Sequence, residues 1–310
     1  MSMSSKPKIS VVTVNKNGAR FLRETIESVM MQNFSDYEHI IIDGASTDNS
    51  LEIIKSYPHI RWISESDQSS TEAFHKGFTL ARGDYIMVMC VSDIYLSRTW
   101  FRRCVEVLDA DLEVSLVWGL AGSMNDDGDI NDVWQPWWLD MQPPQKKSFL
   151  PLWLASNAYA YLPELNYCVR REVFLECYFN SGLNSTWNTH DPFLTMLFNF
   201  HTKGYLPYFL PILAHCGRVH KGQLGEVNKD SNIQTTIFFR KLSAQYCIDI
   251  LFGRKLHFFR NGKSQIIAHI SITERLKLPI DMVKNIISII INRIFRLRIV
   301  TILMRRIRGK

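Results

Sequence analysis

Apolar positions in the first third of the chain follow two alternating patterns. A β-branched run at 9–14 predicts a buried strand, and apolar residues at helical spacing over 21–31 predict a helix after it. The same succession returns with a run at 38–42, a periodic segment at 51–57 and a short run at 60–63. Strands that alternate with helices in this way predict a mostly parallel sheet covered by helices, with right-handed crossovers.

Further segments extend this architecture. Helical spacing over 70–82 precedes the apolar run 85–91, which has the composition of a buried strand. Beyond these, 115–120 and 130–134 predict two more strands, and the turn-rich residues 125–129 between them predict a hairpin. The predicted fold class is therefore α/β, with a Rossmann-like sheet flanked by helices.

Polar residues stand where the predicted strands end. Asn15, Asp43, Asp67 and Asp93 each lie at or just past the carboxyl end of a strand. In open α/β sheets, ligands bind beyond these ends. Although loops are polar in any case, four such residues on one edge of the sheet predict a binding site there.

Charge divides the chain into an acidic body and a basic tail. Residues 1–230 carry a net charge of −7, whereas residues 231–310 carry +13. Within the tail, the segment 278–310 places Lys284, Arg293 and Arg296 in one sector of a helix and isoleucines opposite. This pattern favours a helix lying on an anionic membrane surface, and packing against the body or a second subunit is the alternative. No nucleic-acid motif accompanies the basic residues, so a nucleic-acid partner is not predicted.

The spacing of the cysteines and the lengths of the apolar segments indicate the cellular compartment of the protein. The six cysteines include no Cys-x-x-Cys pair, which favours reduced thiols over disulfides or structural zinc. The first eight residues lack the apolar core of a signal peptide. The longest stretch without a charged residue, 148–163, contains Pro151 and is shorter than the ~18 to 20 apolar residues of a spanning helix. We therefore expect a cytoplasmic protein without a transmembrane segment.

Four motifs in order resemble family 2 glycosyltransferases with the GT-A fold. They are Ser-Val-Val-Thr-Val-Asn at 10–15, Ile-Ile-Asp-Gly-Ala-Ser-Thr-Asp-Asn-Ser at 41–50, Ser-Glu-Ser-Asp-Gln at 64–68, and Gly-Asp-Tyr-Ile with Ser-Asp-Ile-Tyr within 83–95. The resemblance implies an inverting enzyme that moves a sugar from a nucleoside diphosphate to an acceptor hydroxyl. It also implies surface-polysaccharide or lipid-linked glycan synthesis of the bacterial type.

The resemblance implies roles for the first two motifs. Thr13, Asn15 and Asp43 are expected at the nucleotide. Because Asx and Ser residues favour helix caps, capping of the next helix by Ser46 or Asp48 is also expected.

The third motif opens the helix predicted over 70–82. Asp67 is expected to contact the ribose or the donor sugar, and Glu72 and His75, one turn apart, to face the same site. The helix N-terminus near Ser69 would favour the negative charge of the donor. A capped surface helix is the alternative for Glu72 and His75.

The fourth motif implies a divalent metal, Mn²⁺ or Mg²⁺. Asp93 is expected to bind it, together with the diphosphate oxygens. Ser92 stands where a second carboxylate is frequent in the family. The positive charge at the diphosphate could then come partly from Lys or Arg.

Further along, Gly182 to Leu197 resembles the family segment that carries the catalytic base. This places the base at Asp191, which takes the proton of the acceptor hydroxyl. An N-cap role before Pro192 is the structural alternative and is compatible with it. His215 and residues 218–223 resemble the family's closing motif, in which Arg218 neutralises the diphosphate and His220 binds metal or phosphate.

The predicted organisation is a GT-A domain over 1–225 and a basic helical extension over 226–310. The donor half of the domain covers about 8–110 and the acceptor half about 111–225. The expected partners are a nucleotide-sugar donor, a glycan or lipid-linked acceptor and the inner face of the plasma membrane, and oligomerisation stays open. Two alternatives are a sugar-nucleotide-binding protein that has lost catalysis, suggested by Ser92, and a membrane or assembly scaffold acting through the tail.

Overall fold

The protein is described here by a computed structural model covering residues 6–134, 165–179, 192–221, 256–260 and 263–267. Eleven strands are assigned in these ranges: β1 (Ile9–Asn15), β2 (Tyr37–Asp43), β3 (Arg61–Ser64), β4 (Tyr85–Cys90), β5 (Ile94–Tyr95), β6 (Val114–Met124), β7 (Ile130–Trp134), β8 (Tyr167–Arg170), β9 (Leu206–Arg218), β10 (Leu256–Arg260) and β11 (Lys263–Ile267). The helices assigned there are α1 (Ala19–Met30), α2 (Ser50–Lys55), α3 (Ser70–Leu80), α4 (Trp100–Ala110), α5 (Arg171–Phe179) and α6 (Pro192–Thr202).

One mixed sheet organises the molecule, in the order β3-β2-β1-β4-β8-β6-β9-β5, with β7 beside β6. The first four strands in this order are parallel, as predicted, and the α/β fold class is confirmed. The remainder is mixed, because β8 runs antiparallel to both β4 and β6 while β9 runs parallel to β6. The long-range pairing of β6, β8 and β9 therefore completes the sheet.

The register of the parallel strands brings their polar ends together. Asn15 pairs with Asp43 across β1 and β2, and Asp43 pairs with Ser64 across β2 and β3. Val14 pairs with Cys90 across β1 and β4, so the loop that follows β4 leaves from the same edge. The four loops that follow β1, β2, β3 and β4 thus start side by side at the carboxyl edge of the sheet.

Apolar layers cover both faces of the sheet. On one face, Val12 of β1 belongs to a cluster with Phe78 of α3 and Phe174 of α5. On the other face, Val11 belongs to a cluster with Trp100 of α4. All five side chains are fully buried, and burial of each large apolar side chain contributes about 1.5–3 kcal/mol. The strand ends are consequently held on a rigid platform.

The predicted hairpin after β6 is present, with Asn125 accepting hydrogen bonds from the backbone of Asp127 and Asp129. A second hairpin differs from the expectation of a helical extension, because β10 and β11 pair antiparallel within 226–310. The sequence signal for it is Asn261-Gly262 between the paired Arg260 and Lys263, since Asn-Gly favours two-residue hairpin turns. The rest of the extension, including 278–310, lies outside the described residues.

Among the described helices, none is both long and apolar enough to cross a membrane.

Candidate active site

Asp43 is the centre of a hydrogen-bonded network at the end of β2. Its Oδ1 accepts from Asn15 Nδ2 at 2.6 Å and from the Ser46 hydroxyl, and its Oδ2 accepts from the Ser46 backbone N–H at 3.0 Å and from Ser64 Oγ at 2.7 Å. The carboxylate is fully buried. Four protein donors therefore use both oxygens, so Asp43 joins the loops that follow three strands.

The two β1 residues predicted at the nucleotide, Asn15 and Thr13, differ in their distance from the edge of the sheet. Asn15 lies at the edge and also donates to Ser46 Oγ at 3.2 Å. Thr13 lies two residues earlier on the same face, about 7 Å further from the edge. Its buried hydroxyl lies 2.9 Å from His39 Nε2. The structure thus brings Asn15 and Asp43 together and leaves Thr13 in the interior of the sheet.

Asp67 packs against the loop that follows β2. Its carboxylate is nearly buried and lies 3.9 Å from Lys16 Nζ. A Cβ atom on Gly44 would lie 2.4 Å from Asp67 Oδ2, so any other residue here would have to displace the end of the Asp67 side chain. The predicted proximity of Asp67 to the ends of β1 and β2 is therefore present.

The N-terminus of α3 has the features of the alternative prediction, a capped helix. Ser69 accepts from the backbone N–H of Glu72 at 3.3 Å, and Glu72 accepts from the backbone N–H of Gln68 at 2.9 Å. Glu72 also pairs with Lys76 at 3.1 Å. The Gln68 N–H and the Lys76 ammonium hold the pKa of Glu72 below its ordinary value. Glu72 is thus occupied by its own helix.

His75 points away from the strand ends. Its ring packs against Tyr178 and Phe179 of α5, with centroid distances of 5.2 and 4.9 Å. Partial burial against these rings lowers the pKa of His75. The structure therefore does not bring His75 to the candidate site.

Asp48 performs the capping role expected at 46–48, and it does so for α1 as well as for α2. Its Oδ2 accepts from the backbone N–H of Ala19, at the start of α1, at 2.9 Å. Its Oδ1 accepts from Ser50 at the start of α2 at 3.0 Å. The carboxylate therefore joins two helix N-termini beside Asn15, where its negative charge is favourable.

The Ser92-Asp93 loop is held from three sides. Thr25 of α1 accepts from the Ser92 N–H at 3.1 Å and donates to the Asp93 carbonyl at 2.9 Å. Ser92 has φ of 88°, a region that L-residues rarely adopt. Asp93 Oδ1 accepts from the Arg218 backbone N–H at 3.3 Å, and Oδ2 lies 3.3 Å from His215 Nε2. Residues more than a hundred positions apart thus meet at Asp93.

Arg218 is a buried connector at the end of β9. Its guanidinium donates to the carbonyls of Ser92 at 3.4 Å, Asn125 at 3.3 Å and Asp126 at 3.1 Å, and it pairs with Glu24. With 2% of the side chain exposed, these groups neutralise most of its charge locally. Arg218 therefore fixes the β6–β7 turn against the Ser92-Asp93 loop.

The residues at Asp93 suit a divalent cation that keeps several other ligands. Asp93 supplies a carboxylate oxygen, and the buried His215 Nε2 has no hydrogen-bond partner among the described residues. Within those same ranges, no three His, Cys, Asp or Glu side chains form a cluster. A cation held here would therefore take its remaining ligands from phosphate or water.

His220 occupies a different position from His215. Its ring lies 5.1 Å from the Phe21 ring, and its Nδ1 lies 3.1 Å from the Lys221 carbonyl. The metal role predicted for His220 stays a prediction, as do the nucleotide roles of the other site residues. Asp191, the predicted base, lies outside the described residues.

Two contributors to the site had weaker signals in the sequence. Glu24 lies on the exposed face of α1, where a carboxylate is ordinary, and only the folded position of Arg218 distinguishes it. His215 lies inside an apolar strand, and its cues are the resemblance to the family's closing motif and an alternation of polar and apolar residues. Both depend on β9 reaching the edge of the sheet beside β5 and β6.

Comparison with known proteins identifies this arrangement. Residues 10–159 match the model of the family described as "Glycosyl transferase family 2". Residues 10–159 of the chain therefore resemble family 2 glycosyltransferases. An uncharacterized glycosyltransferase of Nostoc sp. is 30% identical over 173 residues, which cover 54% of this chain and 52% of that protein. The chain thus matches about half the length of this relative.

Solved structures share the fold at low sequence identity. TarS 1-349 of Staphylococcus aureus, in complex with UDP-GlcNAc, has a TM-score of 0.60 and 12% identity, covering 91% of this chain and 73% of that one. A mannosyltransferase of Pyrobaculum calidifontis, in complex with GDP-Man and Mn²⁺, has a TM-score of 0.51 and 13% identity, with coverages of 82% and 77%. The chain therefore has the GT-A fold that the four motifs implied.

Proposed function

We propose that this protein is an inverting glycosyltransferase that moves a sugar from a nucleoside diphosphate to an acceptor hydroxyl. The observation that carries the proposal is the carboxyl edge of the sheet, where Asp43 and Asp93 lie within the residues that match the family 2 model. Solved relatives in fold hold UDP-GlcNAc or GDP-Man, so a uridine or guanosine diphosphate sugar is the donor class we favour.

The donor half of the site would act through rigid loops. Asp43 holds the loops after β1, β2 and β3 in one geometry, so the nucleotide meets walls that need no rearrangement. Asp93 presents a carboxylate beside His215, where a divalent cation would supply positive charge to the diphosphate. Arg218 holds the Ser92-Asp93 loop in place by donating a hydrogen bond to the Ser92 carbonyl.

The chemical step would use Asp191. Its carboxylate takes the proton of the acceptor hydroxyl as that oxygen attacks the anomeric carbon. The bond from the anomeric carbon to the diphosphate oxygen breaks, and the nucleoside diphosphate leaves with the bonding electrons. Attack opposite to the leaving group inverts the configuration at that carbon.

Donor turnover tests the proposal. The full chain is incubated with UDP-GlcNAc, UDP-Glc and GDP-Man, each with Mn²⁺, and nucleoside diphosphate release is measured with and without oligosaccharide acceptors. We expect release with one donor and at least a hundredfold loss in Asp191→Asn, whose nucleotide affinity stays within threefold. Asp127→Asn, an exposed residue of the β6–β7 turn, is the matched control. Nucleotide binding without turnover of any donor would instead support the non-catalytic alternative.

The basic tail suggests where such an enzyme works. We propose that 278–310 holds the protein at anionic lipid on the inner face of the plasma membrane, near a lipid-linked or surface-polysaccharide acceptor. Each basic group near such a surface contributes ~1 kcal/mol. Flotation of the full chain with phosphatidylglycerol vesicles tests this. We expect a variant with Arg293, Arg296 and Arg298 changed to Gln to float less, and equal flotation would exclude the membrane role of these residues.

A further inference from the structure

A cavity lies at the amino edge of the sheet, opposite the edge that carries Asp43. It has a volume of about 670 Å³ and is lined by the end of α1, by residues 32–37, by His39 and by His59. Tyr37 begins β2 and Asp43 ends it, so the two edges are about 20 Å apart at ~3.3 Å per residue. Sites for small molecules commonly have volumes of ~300–1,000 Å³. The cavity is therefore large enough for a ligand of its own.

His39 contributes an unsatisfied polar atom to the wall of this cavity. Its side chain is fully buried, and its Nε2 lies 2.9 Å from the Thr13 hydroxyl. Its Nδ1 makes no hydrogen bond to any described residue. Because buried polar atoms without a partner are rare, an occupant of the cavity is expected to bond this nitrogen. Burial lowers the pKa of His39 to about 3, so the imidazole is neutral at physiological pH. A hydroxyl group both donates and accepts, and it therefore suits Nδ1 in either tautomer.

The charges around the cavity disfavour a phosphorylated ligand. No Lys or Arg is among the described residues that line it, whereas Asp36 supplies a carboxylate. A nucleotide or a phosphate would meet this negative group without a cation to pair with. The cavity therefore suits an uncharged ligand.

The remaining lining residues suit a sugar ring. Met30, Phe34 and Tyr37 offer apolar and aromatic surface, against which the C–H groups of a sugar ring can pack. Asn33 and Asp36 are exposed and offer an amide and a carboxylate to hydroxyl groups. The wall thus combines apolar surface with several hydrogen-bonding groups, as a saccharide requires.

The loop that forms one wall is held in place without a ligand. The side chain of Gln32 donates to the Ser97 carbonyl at 2.8 Å and accepts from the Phe101 N–H at 3.2 Å. The Asn33 N–H donates to the Arg98 carbonyl at 2.8 Å. A loop fixed in this way loses little conformational freedom when a ligand binds.

We propose that this cavity binds a segment of an uncharged glycan, at a site separate from the donor site. The inference goes beyond the proposed function and rests on it in one respect, since the acceptor and the product of that function are glycans. A chain held at this edge would stay on the enzyme between transfers.

Oligosaccharide binding to the full chain tests the proposal. Maltotetraose, cellotetraose, chitotetraose and mannotetraose are titrated by isothermal calorimetry, each with and without saturating UDP. We expect at least one of them to bind with millimolar or tighter affinity, and UDP to change that affinity less than twofold. Absence of binding by all four would overturn the proposal. Loss of binding in the presence of UDP would place the glycan at the donor edge and would also overturn it.

Two adjacent methionines provide a matched pair of variants. Met30 lines the cavity and is 45% exposed, whereas Met31 is 43% exposed and lies outside the lining. We expect Met30→Ala to weaken oligosaccharide binding at least fivefold and Met31→Ala to change it less than twofold. Both variants are expected to keep the UDP-GlcNAc and GDP-Man affinities of wild type within twofold. Equal oligosaccharide affinities in the two variants would overturn the proposal, as would a loss of nucleotide-sugar affinity in Met30→Ala alone.

A second measurement uses wild type only. We expect the oligosaccharide that binds to slow amide hydrogen exchange in peptides covering 31–37 and to leave peptides covering 90–94 unchanged. Slower exchange at 90–94 without a change at 31–37 would overturn the proposal.

Failure of this inference is distinguishable from failure of the proposed function. Oligosaccharide binding at this cavity on a chain that turns over no donor would leave the glycan site and remove the transferase. Sugar transfer by a chain whose Met30→Ala and Met31→Ala variants bind oligosaccharide equally would leave the transferase and remove the glycan site.

Discussion

Replacing Asp43 by Asn tests whether this carboxylate serves the protein or the nucleotide. Both oxygens accept two hydrogen bonds each, from Asn15, from Ser46 twice and from Ser64. In Asp43→Asn, one oxygen becomes an NH₂ group. At the Oδ2 position it would face the Ser46 backbone N–H, which cannot turn away, and at the Oδ1 position it would require the Asn15 side-chain amide to reverse. A buried donor left unpaired costs about 1–3 kcal/mol, and bonds that lose charge assistance weaken by about 1 kcal/mol more.

We therefore expect Asp43→Asn to lower the free energy of unfolding by about 3 kcal/mol, equivalent to a fall of about 5 °C in Tm for a chain of 310 residues. Urea unfolding followed by circular dichroism measures the change. Asp127→Asn removes the same charge from an exposed position and is expected to change stability by less than about 0.5 kcal/mol.

The opposite outcome would refute this reasoning. Ordinary surface substitutions change the free energy of unfolding by up to about 0.5 kcal/mol. If Asp43→Asn changes it by no more than this, the hydrogen-bond network stabilises the fold less than its geometry implies. If that variant also loses UDP and GDP affinity while staying folded, the carboxylate acts on the nucleotide itself. The predicted contact of Asp43 with the nucleotide would then stand without the organising role.

Two other predictions concern glycine packing and buried histidine. Gly44→Ala would place a methyl group 2.4 Å from Asp67 Oδ2, so we expect the free energy of unfolding, measured in urea, to fall by about 1–3 kcal/mol. An unchanged urea midpoint would contradict the close approach of Gly44 and Asp67. Burial lowers the pKa of both His39 and His201 to about 3. Because both values lie below the unfolded pKa near 6.5, each residue contributes stability that is present above pH 6.5 and lost on acidification, by about 1.4 kcal/mol per pH unit. When the pH falls from 7 to 5.5, the free energy of unfolding of His39→Gln should decrease by about 1 kcal/mol less than that of wild type. The variant of an exposed residue, His59→Gln, should match wild type. Equal decreases in wild type and both variants would refute the lowered pKa of His39.

The parallel half of the fold was predictable because its signals are local. Each of β1, β2 and β4 is a short apolar run with a polar residue at its end, and the alternation with helices fixes their common direction. Asn15, Asp43 and Asp93 could therefore be assigned to one edge before their contacts were known. Thr13 was assigned to the nucleotide by family resemblance; it lies two residues before this edge, beside His39, and its role stays a prediction.

The other half of the site depends on pairings between distant segments. β9 reaches Asp93 only because β6 and β8 insert between it and β4, an order that no local pattern encodes. The family resemblance indicated His215 and Arg218, but their contacts with Asp93 are recognisable only after the sheet is complete. The roles of Glu72 and His75 could not be predicted either. Helical spacing gives the separation of the two residues along α3, but it does not show which face of the helix packs on α5.

These contacts divide the polar groups of the site into two sorts. Asp43, Asp48 and Arg218 are occupied by backbone and side-chain partners, and their cost of burial is offset within the protein. Such groups organise the loops but have little left to give a ligand. The Asp93 carboxylate is held by fewer groups, because its Oδ1 accepts from the Arg218 backbone N–H and its Oδ2 lies 3.3 Å from His215 Nε2. Of the two carboxylates at this edge of the sheet, Asp93 therefore keeps more acceptor capacity for a ligand than Asp43, whose two oxygens each accept two hydrogen bonds.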